Sequence, residues 1–238
     1  MFTLDVVLEE MSRQDPRTAW AKHPQLREHP SDRRRTYFLM RHILPTVGLI
    51  MLPYIGHAQV RSLGLCERSF EANLEPGSRL SMHLRSGEIT ITGTSAPKIV
   101  VSCEIDGARS RGEVEVRFMA ADKTADLKVS GGPIDKFRLH IRVPSQTNLL
   151  VRSTAGEVKI ENVTGDKDAS LTAGALTIAV GSPADYSRAE ASVHLGGLEA
   201  PPWDIEKGGL FRSFKRTSSS GKYYLNAHVG AGDLTLRY

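Results

Sequence analysis

Apolar residues recur in one phrase along the chain: a short alternating run, a glycine, then apolar positions two and four residues further on. The copies are Gly87-Glu-Ile-Thr-Ile91, Gly156-Glu-Val-Lys-Ile160, Gly174-Ala-Leu-Thr-Ile178, Gly196-Gly-Leu-Glu-Ala200 and Gly232-Asp-Leu-Thr-Leu236. Small or apolar residues also stand five and three places before each glycine: Met82/Leu84, Val151/Ser153, Ala169/Leu171, Ala191/Val193 and Ala227/Val229. Side chains of a strand alternate with period two, so the inward face changes parity across the glycine. A one-residue phase change needs a bend, and glycine tolerates it. The pattern predicts strand, corner, strand units, with Val158 and Leu176 inward and Thr177 outward.

The last four of these glycines lie 18, 22 and 36 residues apart. That spacing is a coil period with one irregular interval, as in a solenoid whose turns bury their inner side chains against one another. Between Ile99 and Val143 the pattern differs. Ile99–Ile105, Gly112–Phe118, Ala125–Val129 and Phe137–Val143 alternate over short runs divided by turn residues, which predicts antiparallel strands arranged as a meander. The fold class read from the chain is all-β: a short β-solenoid-like repeat stack with an adjoining antiparallel strand region. A β-sandwich is the competing architecture.

The first 58 residues read as an address. Met40-Arg-His precedes an apolar run from Ile43 to Ile55, and Gly56-His57-Ala58 supplies small residues at a cleavage site. This is the layout of a signal peptide over 40–58, with Gln59 the first residue after cleavage. The run is too short to span a bilayer, and Pro45 and Pro53 disfavour a continuous core helix. Residues 1–39 are polar and make a long extension before it. Either translation starts at Met40, the preferred reading, or the extension is real and the run anchors the chain. Arg33-Arg34-Arg35 fits a twin-arginine signal only loosely. Leu63-Gly-Leu-Cys66 is not a lipid-attachment site, because Leu65 is bulky and Arg61 separates it from the apolar run. The domain that remains is 59–238, with an irregular insertion at 201–223.

Composition narrows the partners. Of 238 residues, 31 are Lys or Arg and 27 Asp or Glu, a net charge of +4, and aromatics are 6%. That bias is too weak for a nucleic-acid surface, where clustered cations and stacking aromatics are expected. The two cysteines, Cys66 and Cys103, both follow the cleavage site. An exported even pair is compatible with one disulfide or with two separate buried thiols.

Two stretches carry a resemblance. Val143-Pro-Ser-Gln-Thr-Asn-Leu-Leu-Val-Arg-Ser-Thr-Ala-Gly-Glu-Val-Lys-Ile160, followed by Gly165 and the next Gly-x-Leu-x-Ile, is similar to a bacterial family of exported, β-solenoid-like adhesin domains. Phe70-Glu-Ala-Asn-Leu-Glu-Pro-Gly-Ser-Arg-Leu-Ser-Met-His-Leu-Arg-Ser-Gly-Glu-Ile-Thr-Ile91 resembles the way such domains begin. The likeness covers Phe70 to Tyr238 and departs from the repeat between Ala200 and Tyr223. It implies an exported envelope or surface protein, assigns no catalytic residue, and belongs to a family whose own function is not established.

Candidate chemistry is sparse. Glu88, Glu157 and Asp233 follow corner glycines and would form a carboxylate ladder for a hard cation, but Ala175 and Gly197 interrupt it. His83, His194 and His228 fall at similar repeat positions, with Arg152 and Ser170 breaking their continuity. Both sets read as solvated strand residues, so no metal or cofactor is assigned. Nucleotide, serine-hydrolase and zinc signatures are missing, and no catalytic set stands out. The most distinctive segment is Pro201–Gly221. Its Trp203, Phe211 and Phe214 are apolar, and Arg212, Lys215 and Arg216 form a basic cluster. These six residues either cover an open end of the stack or touch a partner: a surface glycan, a protein, or lipid headgroups weakly. The sequence thus predicts a non-enzymatic, exported, adhesin-like or structural protein. The alternatives are a membrane-attached scaffold polymerising through its sheet edges, and a carbohydrate-active β-helix enzyme.

Overall fold

The structure, a computed structural model, describes residues 58–63, 66–105, 113–132 and 136–238. Thirteen strands account for most of them: β1 Ala58–Leu63, β2 Phe70–Asn73, β3 Arg79–Leu84, β4 Gly87–Thr94, β5 Lys98–Ile105, β6 Glu115–Ala121, β7 Thr124–Ser130, β8 Phe137–Pro144, β9 Asn148–Glu161, β10 Lys167–Ala179, β11 Tyr186–Ala200, β12 Ile205–Thr217 and β13 Tyr223–Arg237. Short 3-10 turns at Pro183–Asp185 and Pro201–Trp203 enter and leave β11. The protein is all-β. The signal segment expected over 40–58 and the extension 1–39 lie outside the described residues, apart from Ala58.

Strands β9, β10, β11 and β13 each cross a corner glycine, and the glycines stack in register. Gly87 pairs with Gly156, Gly156 with Gly174, Gly174 with Gly232, Gly232 neighbours Gly196, and Gly196 pairs with Gly209. All six have φ between +107° and +145°, a region that side chains of L-residues rarely enter. A Cβ at Gly156, Gly174, Gly232 or Gly196 would run into the backbone carbonyl of its neighbour in the column. Glycine is therefore required twice over, by dihedral and by space.

On either side of this column the inner rows are continuous. Before the corner run Met82, Val151, Ala169, Ala227 and Ala191, then Leu84, Ser153, Leu171, Val229 and Val193; after it run Ile89, Val158, Leu176, Leu234 and Leu198. All are buried, the apolar ones in one core, and Thr177 is half-buried on the other face. Ser153, the one hydroxyl in these rows, donates to the Arg85 carbonyl at 2.9 Å, which satisfies it. Other side chains tie neighbouring strands together at their ends. The Asn148 amide donates to Gly77 O, Asn148 Oδ1 accepts from Asp166 N, and Asp166 Oδ1 accepts from Tyr224 N.

The order of the stack departs from chain order. A uniform coil would place β13 last, whereas β13 inserts in parallel between β10 and β11. Residues 201–223, expected as an irregular insertion, include the 13-residue strand β12, which runs antiparallel to β11 at the sheet edge. The expected meander is also redistributed. β6 and β7 form an antiparallel pair, with β7 parallel to β3. β5 pairs antiparallel with β8, and β8 runs parallel to β4. The strands of that region thus extend the two halves of the bent sheet separately. Cys66 and Cys103 are joined by a disulfide, which ties the segment before β2 to β5.

Candidate functional site

The repeat positions singled out for chemistry are separated or already neutralised. Glu88 and Glu157 stand opposite each other, but Arg138 approaches Glu88 at 3.4 Å and Lys159 pairs with Glu157 at 2.8 Å. Asp233 lies beyond Ala175 in the stack and accepts a hydrogen bond from Gly197 N at 2.9 Å. Among the described residues no group of three His, Cys, Asp or Glu is arranged to hold a metal ion. His83 faces Asp126 at 3.8 Å and is divided from His228 by Arg152 and Ser170. His194 and His228 do meet, edge to face, with ring centroids 4.7 Å apart. Ser192 Oγ bonds His228 Nδ1 at 2.9 Å. Burial, reinforced by the neighbouring His194, lowers the His228 pKa, so its ring is neutral at physiological pH.

One buried cation breaks the repeat. Lys167 occupies an inner position between Leu149 and Leu225, in a row that Leu80 and Ala189 continue. It is fully buried. Its Nζ donates to Tyr186 Oη at 2.7 Å and Gly165 O at 3.2 Å, and Tyr186 Oη donates in turn to Val180 O at 3.2 Å. Burial pushes the ammonium down to about 8 against the opposing pull of Asp166 and Asp185. The same burial raises the Tyr186 phenol. Repeat logic predicts leucine here, and the signal that would have found the exception is the alignment of Lys167 with Leu149.

The six residues expected to cap or to bind divide by face. Trp203 packs against Tyr186 and Phe214, at centroid distances of 6.2 and 5.6 Å, and Phe214 is buried opposite Ala191. These two rings close the end of the core. Arg212 and Arg216 share Phe214's side of the strand, in register with the buried Val193 and Ala189, and both are exposed. Phe211 and Lys215 belong to the other face. Phe211 is 76% exposed and leans on His194 at 5.7 Å. Beside it the corner row that reads Ala155, Ala173 and Ala231 ends in Leu195 and Leu210, 55% and 60% exposed. Of the five large apolar residues exposed in the described part of the chain, three thus gather at this corner of β11 and β12.

Charge gathers there too. Strand β12 carries Lys207, Arg212, Lys215 and Arg216 against Glu206. On the outer face Lys215 reaches Glu190 of β11 at 2.9 Å, and Arg188 holds the same carboxylate through two bonds of 2.8 Å. These cations, Arg188 first, keep the Glu190 carboxyl below its ordinary pKa. Two cations therefore share one anion, and a positive charge is left over. Lys207 donates to Ser213 O at 2.8 Å and Arg212 Nε to Gly208 O at 2.7 Å. The corner is an exposed apolar ridge bordered by cations.

Among the described residues no helix is long and apolar enough to cross a membrane. No family model matches the chain, and no curated protein matches it. Among solved structures it is similar to a chain from Clostridium sporogenes described as a "putative cell adhesion protein", at 14% identity and a TM-score of 0.43, over 71% of this chain and 98% of that one.

Proposed function

We propose that this is an exported, non-enzymatic envelope protein with an adhesin-like role, which binds through the β11–β12 corner. The observation that carries the reading is the grouping of Phe211, Leu195 and Leu210 beside a cation-rich edge strand. Exposed apolar surface rimmed by charge is the composition of an interaction site. Export is supported by the Cys66–Cys103 disulfide, since such bonds persist in oxidising compartments, and by the signal-like run before Gln59. The stacked strands then serve as a stiff support that holds the corner in one shape.

The test is mass spectrometry of the endogenous protein in separated cell fractions, joined to sedimentation of the purified protein with isolated cell envelopes. A chain beginning at Gln59 in an extracytoplasmic fraction, cosedimenting in a manner abolished by Lys215→Glu, is the expected result. An intact Met1 or Met40 terminus in the cytoplasm, or cosedimentation indifferent to the corner, overturns the proposal.

A further inference from the structure

We infer that the outer face of the β11–β12 corner binds a carboxylated polysaccharide, with Phe211 as the sugar platform. This deepens the surface-binding reading above and rests on it. Phe211 has a φ of +51°, in the left-handed region that bulky L-residues avoid, and its ring gains little burial in exchange. Strain of that kind persists only where the surroundings impose it, and it collects at functional sites. Here it accompanies a flat aromatic face left open to solvent and braced by His194.

The surroundings select the ligand. A further strand is disfavoured, because Lys207 and Arg212 lie back along β12 and occupy the carbonyls of Ser213 and Gly208. Charged side chains on an edge strand are how natural sheets resist further pairing. Recognition at this corner therefore falls to side chains. At about 3.3 Å per strand residue the cations stand more than 10 Å from the ring, which fits a polymer that lays the C–H face of one sugar ring on Phe211 and carries the carboxylates of further units to the cations. Those cations are Lys215 and Arg188, which face outward with Phe211 and have only Glu190 between them. The surplus positive charge is available to an anion, and a guanidinium can add two parallel bonds to a carboxylate. Ser192 and the neutral His228 lie between these cations and His194. They offer uncharged hydrogen-bonding groups suited to hydroxyls.

The experiment measures binding of the purified protein to polygalacturonate, neutral dextran, polyglutamate and phosphatidylglycerol vesicles at several salt concentrations. Wild type is compared with Phe211→Gly, Lys215→Glu and a charge control, Lys123→Glu, on the exposed turn between β6 and β7. Polygalacturonate is expected to bind best, weakening as salt screens the charges, with dextran not retained. Phe211→Gly and Lys215→Glu should each weaken binding about tenfold or more, and Lys123→Glu should leave it unchanged. Because glycine accepts positive φ without strain, Phe211→Gly should melt no lower than wild type, which separates a binding role from a structural one. Equal or tighter binding of polyglutamate or vesicles overturns the inference, as does polygalacturonate binding indifferent to Phe211. Failure to bind polygalacturonate, while cosedimentation with envelopes still depends on Lys215, overturns the polysaccharide assignment and leaves the corner a binding face. Loss of that dependence as well overturns both.

Discussion

Exchanging Lys167 for methionine should make the protein more stable at neutral pH and remove a pH dependence. The lysine is fully buried in a row of leucines and alanine, and burial pushes its ammonium from an ordinary 10.5 to about 8. At about 1.4 kcal/mol per pKa unit, that gap corresponds to about 3 kcal/mol of stability withheld below pH 8. Between the folded and unfolded pKa values the unfolded chain holds more protons, so stability rises with pH from about 8 upward. Tyr186 acts in the opposite direction. Its phenol is raised by burial, so above about pH 10 the unfolded chain loses that proton first and stability falls. Wild type should therefore be most stable near pH 10, by about 2 to 3 kcal/mol over pH 7. Methionine fills much of the same volume without a charge. It leaves Gly165 O and Tyr186 Oη without the Nζ donor, at a cost of about 1 kcal/mol, since the phenol keeps its own bond to Val180 O. The net expectation for Lys167→Met is a gain of about 2 kcal/mol at pH 7 and no rise between about pH 8 and 10. Urea unfolding of both proteins across this range measures it. A variant less stable at pH 7, or one with an undiminished rise, would refute the reasoning.

Two further pairs of substitutions test the geometry of the stack. Gly174→Ala should cost about 3 kcal/mol or more, since the new methyl meets the Gly156 backbone at a φ of +125°. Gly77→Ala, at φ +82° with open space around it, should cost only about 1 kcal/mol, and equal urea midpoints for the two would show that the column is not close-packed. Leu176→Arg removes a buried leucine worth about 1.5 to 3 kcal/mol and inserts an unpaired charge, so its thermal transition should collapse. Thr177→Arg, one residue on and facing outward, should shift stability by no more than about 0.5 kcal/mol, and a similar loss in both would contradict the assigned faces.

The legible part of the fold is the part written in periodicity. Apolar positions five and three before a glycine, and two and four after it, define the inner rows and the corner without any structure in view. The spatial order of the strands was not legible, because the repeats are interchangeable in that code. Strand β13 offers Leu225, Ala227, Val229, Leu234 and Leu236 to the core, as complete a set as its neighbours carry, so it can sit between two strands. Strand β12 fully buries Phe214 alone, and a strand with so few inward residues is suited only to an edge. That asymmetry explains why the chain passes through β12 and then doubles back to insert its last strand. It also explains the long interval between Gly196 and Gly232, which spans a strand whose own corner glycine, Gly209, has only Phe211 of the four apolar residues that would have marked it.

The candidate site shows the same limit from the other side. Composition alone placed Trp203, Phe211, Phe214, Arg212, Lys215 and Arg216 together, yet it treated the three aromatics, and the three cations, as equivalent. Their neighbours separate them. Trp203 and Phe214 meet each other, and Trp203 meets Tyr186, so their apolar surface goes to closing the core. Phe211 and Phe214 are three residues apart on one strand, and period-two alternation sends their rings to opposite faces. By the same alternation Arg212 and Arg216 go with Phe214, and Lys215 goes with Phe211. That inference opens only once residues 205–217 are known to be a strand, which the run of Gly208, Gly209 and cations conceals. The exposed ring is then the one with no core to join. The cations laid along the backbone at Ser213 and Gly208 act against the edge-to-edge stacking that a polymerising scaffold would need.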